Sequence, residues 1–329
     1  MLLYYSFILP FYKYVAAESA KMTADTISHH FLINPSQFCI MDFMILITGA
    51  GGKTGRALVK ALSKVESVAA LVHREEQASI LTSLGVQNVV VGDLHDRDAI
   101  HAAMQGVQAV YHICPNMSPD EAIIGKLVIG EASSAGVEHF VYHSVLHPQV
   151  EQMNHHWQKM RVEEMLFESS LPFTILQPAP YMQNMLGGWR SIVEEGVLRV
   201  PYSVESKFSF VDLEDVAEAA KIVLSEPDHK NAVYELVGAP PTSHVEVADV
   251  FEQVLKRDVR AEKEEIVDWR SRVQGMSEYA VENLVKMFEY YDRWGLVGNP
   301  NVLKWLLDRE PTPLESFIDR MIKEHDAIS

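Results

Sequence analysis

Residues 45–62 read ILITGAGGKTGRALVKAL: an apolar, β-branched run, a turn with glycines at 49, 51, 52 and 55, and then apolar residues at helical spacing. A strand that enters a Gly-rich turn and leaves it as a helix gathers free backbone N–H groups at the positive end of a helix dipole, which suits a diphosphate. Gly49 serves the tight turn, Gly52 lets the backbone approach a ligand, and Gly55 lets the first helical turn pack on the strand. Gly51, Lys53 and Thr54 complete the loop. The spacing Gly49-x-x-Gly52-x-x-Gly55 departs from the usual G-x-G-x-x-G, with Thr54 inside it, but the framing strand and helix carry the reading. A nucleoside-triphosphate loop is excluded, because GGKTG lacks the four-residue spacer that such a loop needs.

Outward from this stretch the chain alternates strand and helix signals. Apolar runs at Met44–Thr48, residues 68–72, Asn88–Val91, and residues 109–114, 139–142 and 173–176 are separated by helix-period segments at residues 56–64, 75–84, 97–105, 120–135 and 152–169. Parallel strands joined by right-handed crossover helices need helices on both faces, so the expected class is α/β: a doubly wound, parallel-sheet Rossmann fold. Residues 41–178 are expected to form its core, completed by about 208–238 through a further βα-like piece from Phe208 and a strand from Ala232. Residues 179–207 and the helix-rich 239–329 are expected to form a smaller substrate-binding region. Its aromatics, Trp269, Tyr279, Phe288, Tyr290, Tyr291, Trp294 and Trp305, suit either a substrate cleft or the burial of helices against the sheet.

The chain of 329 residues, 48% hydrophobic, is long enough for one large or two fused domains. With 28 Lys and Arg against 45 Asp and Glu, its formal net charge of -17 disfavours direct contact with nucleic acid or anionic membrane. Two cysteines, Cys39 and Cys114, make no disulfide framework and fit a reducing, cytoplasmic setting. Residues 1–40 open apolar and aromatic, but Pro10 and Lys13 interrupt them short of the ~20 residues a membrane span needs. Met41 stands just before the first strand, so this leader reads as an extended gene start or a targeting segment.

The end of the second strand selects the dinucleotide. An NAD site generally places Asp or Glu there to bind the ribose 2′-hydroxyl. This chain has Val72, His73 and Arg74 instead. Arg74 offers a fork to a 2′-phosphate and Lys53 adds positive charge, so NADP(H) is favoured over NAD(H). The competing reading leaves Arg74 solvated beside Glu75 and Glu76.

Together the TGAGGKTG loop, GDL at residues 92–94, HFVYHSVLHP at 139–148 and FTILQPAPYMQN at 173–184 resemble the NmrA-like group of atypical short-chain dehydrogenases/reductases. The resemblance spans about residues 44–238. It implies a Rossmann core that binds NADP(H), with Asp93 and Leu94 near the adenine and Ile113, Cys114 and Pro115 beside the nicotinamide ribose. Gln177 and Pro178 fall in the last of these motifs and join the cofactor set.

Catalytic members of the wider superfamily carry a Tyr and, four residues on, a Lys that lowers its pKa and holds the ribose. Here NHHWQKMRVEEML places Lys159 at the lysine position and His155 where the tyrosine would be. His155 is a candidate proton donor, since imidazole titrates near neutrality, and Ser144 is a candidate to orient the substrate. Histidines 143, 147 and 156 have no recognisable ligand spacing, and no metal is expected. Asp212 and Asp215 read as helix-start residues. Two functions stay open. One is an NADPH-dependent oxidoreductase that passes hydride to a quinone, carbonyl or conjugated small molecule held near Gln177, Tyr181, Met182 and Asn184. The other is an inactive NADP(H) sensor that regulates a protein partner; a homodimer is compatible with both.

Overall fold

The computed structural model describes residues 43–326. The expected leader at residues 1–40 lies outside the described residues. Strands β1 (Met44–Thr48), β2 (Ser67–Val72), β3 (Asn88–Val91), β4 (Ala109–His112), β5 (His139–His143), β6 (Phe173–Pro178) and β8 (Ala232–Leu236) form one parallel sheet. Its order is β3-β2-β1-β4-β5-β6-β8. The chain thus winds one way from β1 to β3 and the other way from β4 onward. The reversal lies between β1 and β4, where doubly wound sheets hold their ligands.

Helices α1 (Lys53–Leu62), α2 (Glu75–Ser83), α3 (Arg97–Ala103), α4 (Glu121–Ala135), α5 (Asn154–Phe167) and α6 (Leu213–Ser225) make the crossovers. They cover both faces, so β1, β2, β4, β5 and β6 are buried on both sides and read as continuous apolar runs. Helix α1 turns Gly55, Leu58, Val59 and Leu62 inward, the stripe expected at 3.6 residues per turn, and packs on α6. Leu58 is fully buried there, a position where truncation to Ala typically costs ~2–5 kcal/mol. The opposite face carries α3, α4 and α5 over Leu46, Val110, Phe140, Tyr142 and Ile175.

Residues after β6 leave the sheet through a 3-10 turn at Met182–Gly188 and a π-helical turn at Ser191–Glu195. Strand β7 (Val197–Val200) then pairs in parallel with β9 (Arg260–Lys263) in a separate ribbon. These short strands escape sequence reading because RAEK has no strand pattern and its partner lies far along the chain. The remaining helices are α7 (His244–Leu255), α8 (Ile266–Arg272), α9 (Glu278–Trp294), α10 (Asn301–Leu307) and α11 (Leu314–Asp326).

One expected element is corrected. The βα-like piece from Phe208 supplies α6 but no strand before it. Residues 208–211 make only isolated bridges, Phe208 with Thr242 and Leu296, and Val211 with Tyr181. Three different neighbours hold this segment, and none continues beside it as a ladder. Its apolar residues serve an aromatic cluster instead: Phe208 lies within 5.1–5.9 Å of the Tyr202, Phe210, His244 and Tyr291 rings. Most tail aromatics join such packing, with Trp269 edge-on to Phe288 at 4.8 Å, while Trp294 and Trp305 face solvent. Asp212 caps α6 by accepting from the Glu214 N–H (3.1 Å) and also pairs with Arg320. Asp215 does more than serve a helix dipole: buried, it accepts from Arg309 (2.7 Å) and from the Thr312 N–H (2.6 Å), which ties the C-terminal segment to α6.

Candidate functional site

The carboxyl ends of β1 and β4 meet at the reversal of strand order. Thr48 fastens them, its hydroxyl oxygen accepting from the Ile113 N–H (3.0 Å) and lying 2.8 Å from His112 Nδ1. Gly49 follows with φ +62°, and a Cβ there would stand 2.7 Å from the Ile113 carbonyl oxygen. Both the turn and the close approach therefore require glycine. Gly55 packs on the backbone of Gly49 and Ala50, which a Cβ would meet at 2.5 Å.

Gly52 differs. It N-caps α1 without a side chain, and among the described residues a Cβ there would meet only the Gly49 oxygen, at 3.3 Å. None of the described residues fills the space on that side. The first turn of α1 holds no acidic residue, and the N–H groups of Lys53, Thr54 and Gly55 have no helical carbonyl behind them. An exposed, unshielded helix N-terminus with bare backbone in front of it fits the diphosphate of a dinucleotide.

The flank of the cradle is built by α2. Gln77 accepts from the Arg74 N–H (3.2 Å), and its side chain covers Gly51, where a Cβ would fall 2.4 Å from the amide nitrogen. Arg74, at the N-terminus of α2, is thereby placed beside the Gly-rich loop with its side chain exposed. His73 lies 3.7 Å from Asp93. The Asp93 carboxylate is held below its usual range, chiefly by the His95 backbone N–H (2.8 Å) and then by the His95 ring. Leu94, the next residue, is buried in the core on the α3–α5 face of the sheet.

At the ends of β5 and β6 the residues form two locked networks. Lys159 is buried and donates to Glu121 Oε1 (2.9 Å) and to the His143 carbonyl (3.1 Å), with its ammonium 5.3 Å from the centre of the Tyr142 ring. Tyr142 donates to the same Glu121 oxygen (2.8 Å). Burial by itself raises the Glu121 carboxyl, but the Lys159 charge and the donated hydrogen bonds outweigh it and leave the carboxyl below its ordinary value. In the second network Ser144 donates to Glu163, and Gln177 donates to both Glu163 oxygens at 2.9 Å. Burial raises the Glu163 carboxyl. Cys114 lies buried beside Glu121, and desolvation pushes its thiol well up.

His155 does not behave as the sequence suggested. It is buried on α5, edge-on to His156 at 6.1 Å, and desolvation pushes its ring down to about 3. Burial penalises the charged form and so opposes the titration near neutrality on which its candidacy rested. A different hydrogen-bonded group stands by the loop. Tyr181 Oη lies 2.6 Å from His143 Nε2, and Tyr111 Oη lies 2.7 Å from His143 Nδ1. Thr54, in the Gly-rich loop, also hydrogen-bonds the Tyr181 side chain. Lys53 donates to Asn184 Oδ1 (3.4 Å), so the segment after β6 touches the loop at two points. Met182 is buried beneath this segment and faces the core.

The profile of the NmrA-like family matches residues 41–324. The chain belongs to the NmrA-like family. Two curated relatives and a solved structure describe its neighbourhood. The NAD(P)H azoreductase of Xenophilus azovorans is 32% identical over 66% of this chain and 76% of its own length. Quinone oxidoreductase 2 of Escherichia coli is 31% identical over 59% of this chain and 68% of its own. The crystal structure of an NADPH-dependent quinone oxidoreductase from Escherichia coli, complexed with NADPH, superposes with a TM-score of 0.75 at 25% identity, covering 85% of this chain and all of that one (100%). Family membership agrees with the motifs quoted from the sequence. Among the described residues of this NmrA-like protein, no helix is long and apolar enough to cross a membrane.

Sequence reasoning missed Glu121, Glu163, Tyr111 and Gln77, and considered His143 only as a metal ligand. Glu121 and Glu163 sit in ordinary helical segments, where nothing marks a carboxylate as buried. Tyr111 and His143 carried a faint signal, since each is a polar group inside an otherwise apolar strand, and such groups need partners.

Proposed function

We propose that this protein is an NADPH-dependent reductase acting on a quinone or a related conjugated small molecule. The observation that carries the reading is the bare helix N-terminus at Gly52, with none of the described residues in front of it and Arg74 on its flank. Lys53, Thr54 and Gly55 would receive the diphosphate on their N–H groups, and Arg74 would pair with the 2′-phosphate. Asp93 and Leu94 would bound the adenine, and Ile113, Cys114 and Pro115 the nicotinamide ribose. Bound NADPH would supply hydride; the chain supplies binding, orientation and exclusion of water. The azoreductase and quinone oxidoreductase relatives support an acceptor of conjugated type. Lys159 is assigned to orient the β5 end through the His143 carbonyl, and Ser144 and Gln177 to hold that end rigid through Glu163. Tyr181 and Asn184 would border the substrate, while Met182, expected beside them from the sequence, packs into the core and anchors their segment.

A second reading, an NADP(H) sensor without turnover, is supported by the sequence of α5, which has no tyrosine and carries the buried His155 four residues before Lys159. One experiment separates the two. Purified protein is incubated with NADPH and a panel of quinones, azo compounds and carbonyls while nicotinamide absorbance is followed. Sustained oxidation with any acceptor supports the reductase. Tight NADPH binding without turnover across the panel rejects it in favour of the sensor.

A further inference from the structure

We infer that Tyr181 delivers the proton that accompanies hydride transfer, in place of the tyrosine absent from α5, with His143 and Tyr111 as its positioning partners. The inference rests on the reductase reading and adds to it the residue that completes the reduction.

Hydrogen-bond accounting on a buried chain carries the argument. Tyr111 is fully buried on β4, and His143 Nδ1 is its only hydrogen-bond partner among the described residues. The His143 ring is buried too, and desolvation, with the Lys159 charge adding to it, pushes it down to about 3, so it is neutral and offers one N–H and one bare nitrogen. Two arrangements are available. If Nδ1 carried the proton, the Tyr111 oxygen would accept it and the Tyr111 O–H would be left buried with no acceptor, at a cost of ~1–3 kcal/mol. In the other arrangement Tyr111 donates to bare Nδ1, Nε2–H donates to Tyr181 Oη, and every buried group is satisfied. The Tyr181 proton is then directed away from His143, toward the loop where Thr54 stands.

This arrangement suits a proton donor. Burial raises the Tyr181 phenol above its ordinary value, so it is protonated at neutral pH, and the His143 N–H already points at the oxygen that becomes charged. Lys159 fixes His143 from behind by donating to its carbonyl (3.1 Å). Tyr181 is half-buried at the carboxyl end of the sheet, against the Gly-rich loop. The step balances. NADPH gives hydride to the acceptor, the Tyr181 O–H bond breaks, a new O–H bond forms on the acceptor oxygen, and the phenolate takes a proton from water once the product leaves.

Two acceptors and one spectroscopic measurement test it. A neutral quinone needs a proton on oxygen after hydride arrives, whereas a cationic triarylmethane dye takes hydride on its central carbon and needs none. Tyr181→Phe should slow quinone reduction at least about 10-fold more than it slows dye reduction, and abolish the solvent deuterium isotope effect on the quinone. Equal slowing on both acceptors, or none on the quinone, overturns the assignment. Nitrogen-15 NMR of the imidazole groups in the protein without substrate should find His143 protonated on Nε2 and bare on Nδ1; the opposite tautomer also overturns it, whatever the turnover. Failure of the wild-type protein to oxidise NADPH with either acceptor would remove the reductase reading itself, and this inference with it.

Discussion

Lowering the pH from 7.5 to 5.5 loads protons onto the unfolded chain that the folded chain refuses. Histidines 112, 139, 143, 155, 156 and 244 are buried, and desolvation holds their rings at about 4, 4, 3, 3, 4 and 4, respectively. The folded pKa lies below the unfolded value of ~6.5 in each case, so their contribution is present above that pH and lost as the pH falls. Each such ring forfeits ~1.3 kcal/mol between pH 7.5 and 5.5, and the six together forfeit on the order of 8 kcal/mol if they act independently. That is comparable to the whole ~5–15 kcal/mol typical of a folded domain. His95 runs the other way. Its partnership with Asp93 raises it, so what it contributes is present at low pH and fades as pH rises. The half-exposed pair is too weak to offset the buried set. Urea unfolding followed by circular dichroism at pH 7.5, 6.5 and 5.5 gives stability against pH, and near pH 5.5 its slope should correspond to an uptake of about five protons. A slope below two protons would refute the reasoning, because it would mean that these rings are solvated or already charged in the native state.

Three further outcomes are expected. Gly52→Val should fold with little loss of thermal stability yet lose NADPH affinity by at least ~10-fold, whereas Gly55→Val, whose Cβ falls 2.5 Å from Ala50 Cα and the Gly49 oxygen, should fail to fold. Calorimetry and thermal unfolding read both, and equal unfolding of the two variants would remove the phosphate role of Gly52. Arg74→Ala should weaken NADPH by tens-fold, the ~1.5–3 kcal/mol of a charge-assisted fork, and leave NADH binding unchanged; equal losses by calorimetry would reject the 2′-phosphate assignment. Glu121→Ala strands the Lys159 ammonium in a buried site and should cost ~3–5 kcal/mol in urea unfolding, while Glu121→Ala with Lys159→Met should recover much of it; no recovery would show that the pair does not act as a unit.

The strand, Gly-rich turn and helix at residues 44–62 could be read from the chain because they are local. ILIT, the glycines and RALVKAL follow one another, and the strand, turn and helix they encode need no distant partner. Gly49 and Gly55 are glycines for reasons that tertiary contacts with Ile113 and Ala50 confirm. The doubly wound parallel class was implied by the alternation of strands and helices, whereas the strand order and the place of its reversal came from the tertiary structure. The segment from Phe208 misled because apolar alternation looks the same whether the neighbour is a ladder or a cluster of rings.

The sequence by itself determined the doubly wound sheet, the Gly-rich loop and the cationic residue at the end of the second strand, since backbone sterics and hydrophobic period act over a few residues. Only the tertiary structure decided what the titratable groups do. His155 stands where a catalytic acid was expected, but burial keeps it neutral; Lys159 is held by Glu121, 38 positions away; and His143 lies between Tyr111 and Tyr181, on different strands and loops. Protonation depends on dielectric and on partners within a few ångströms, and folding sets both.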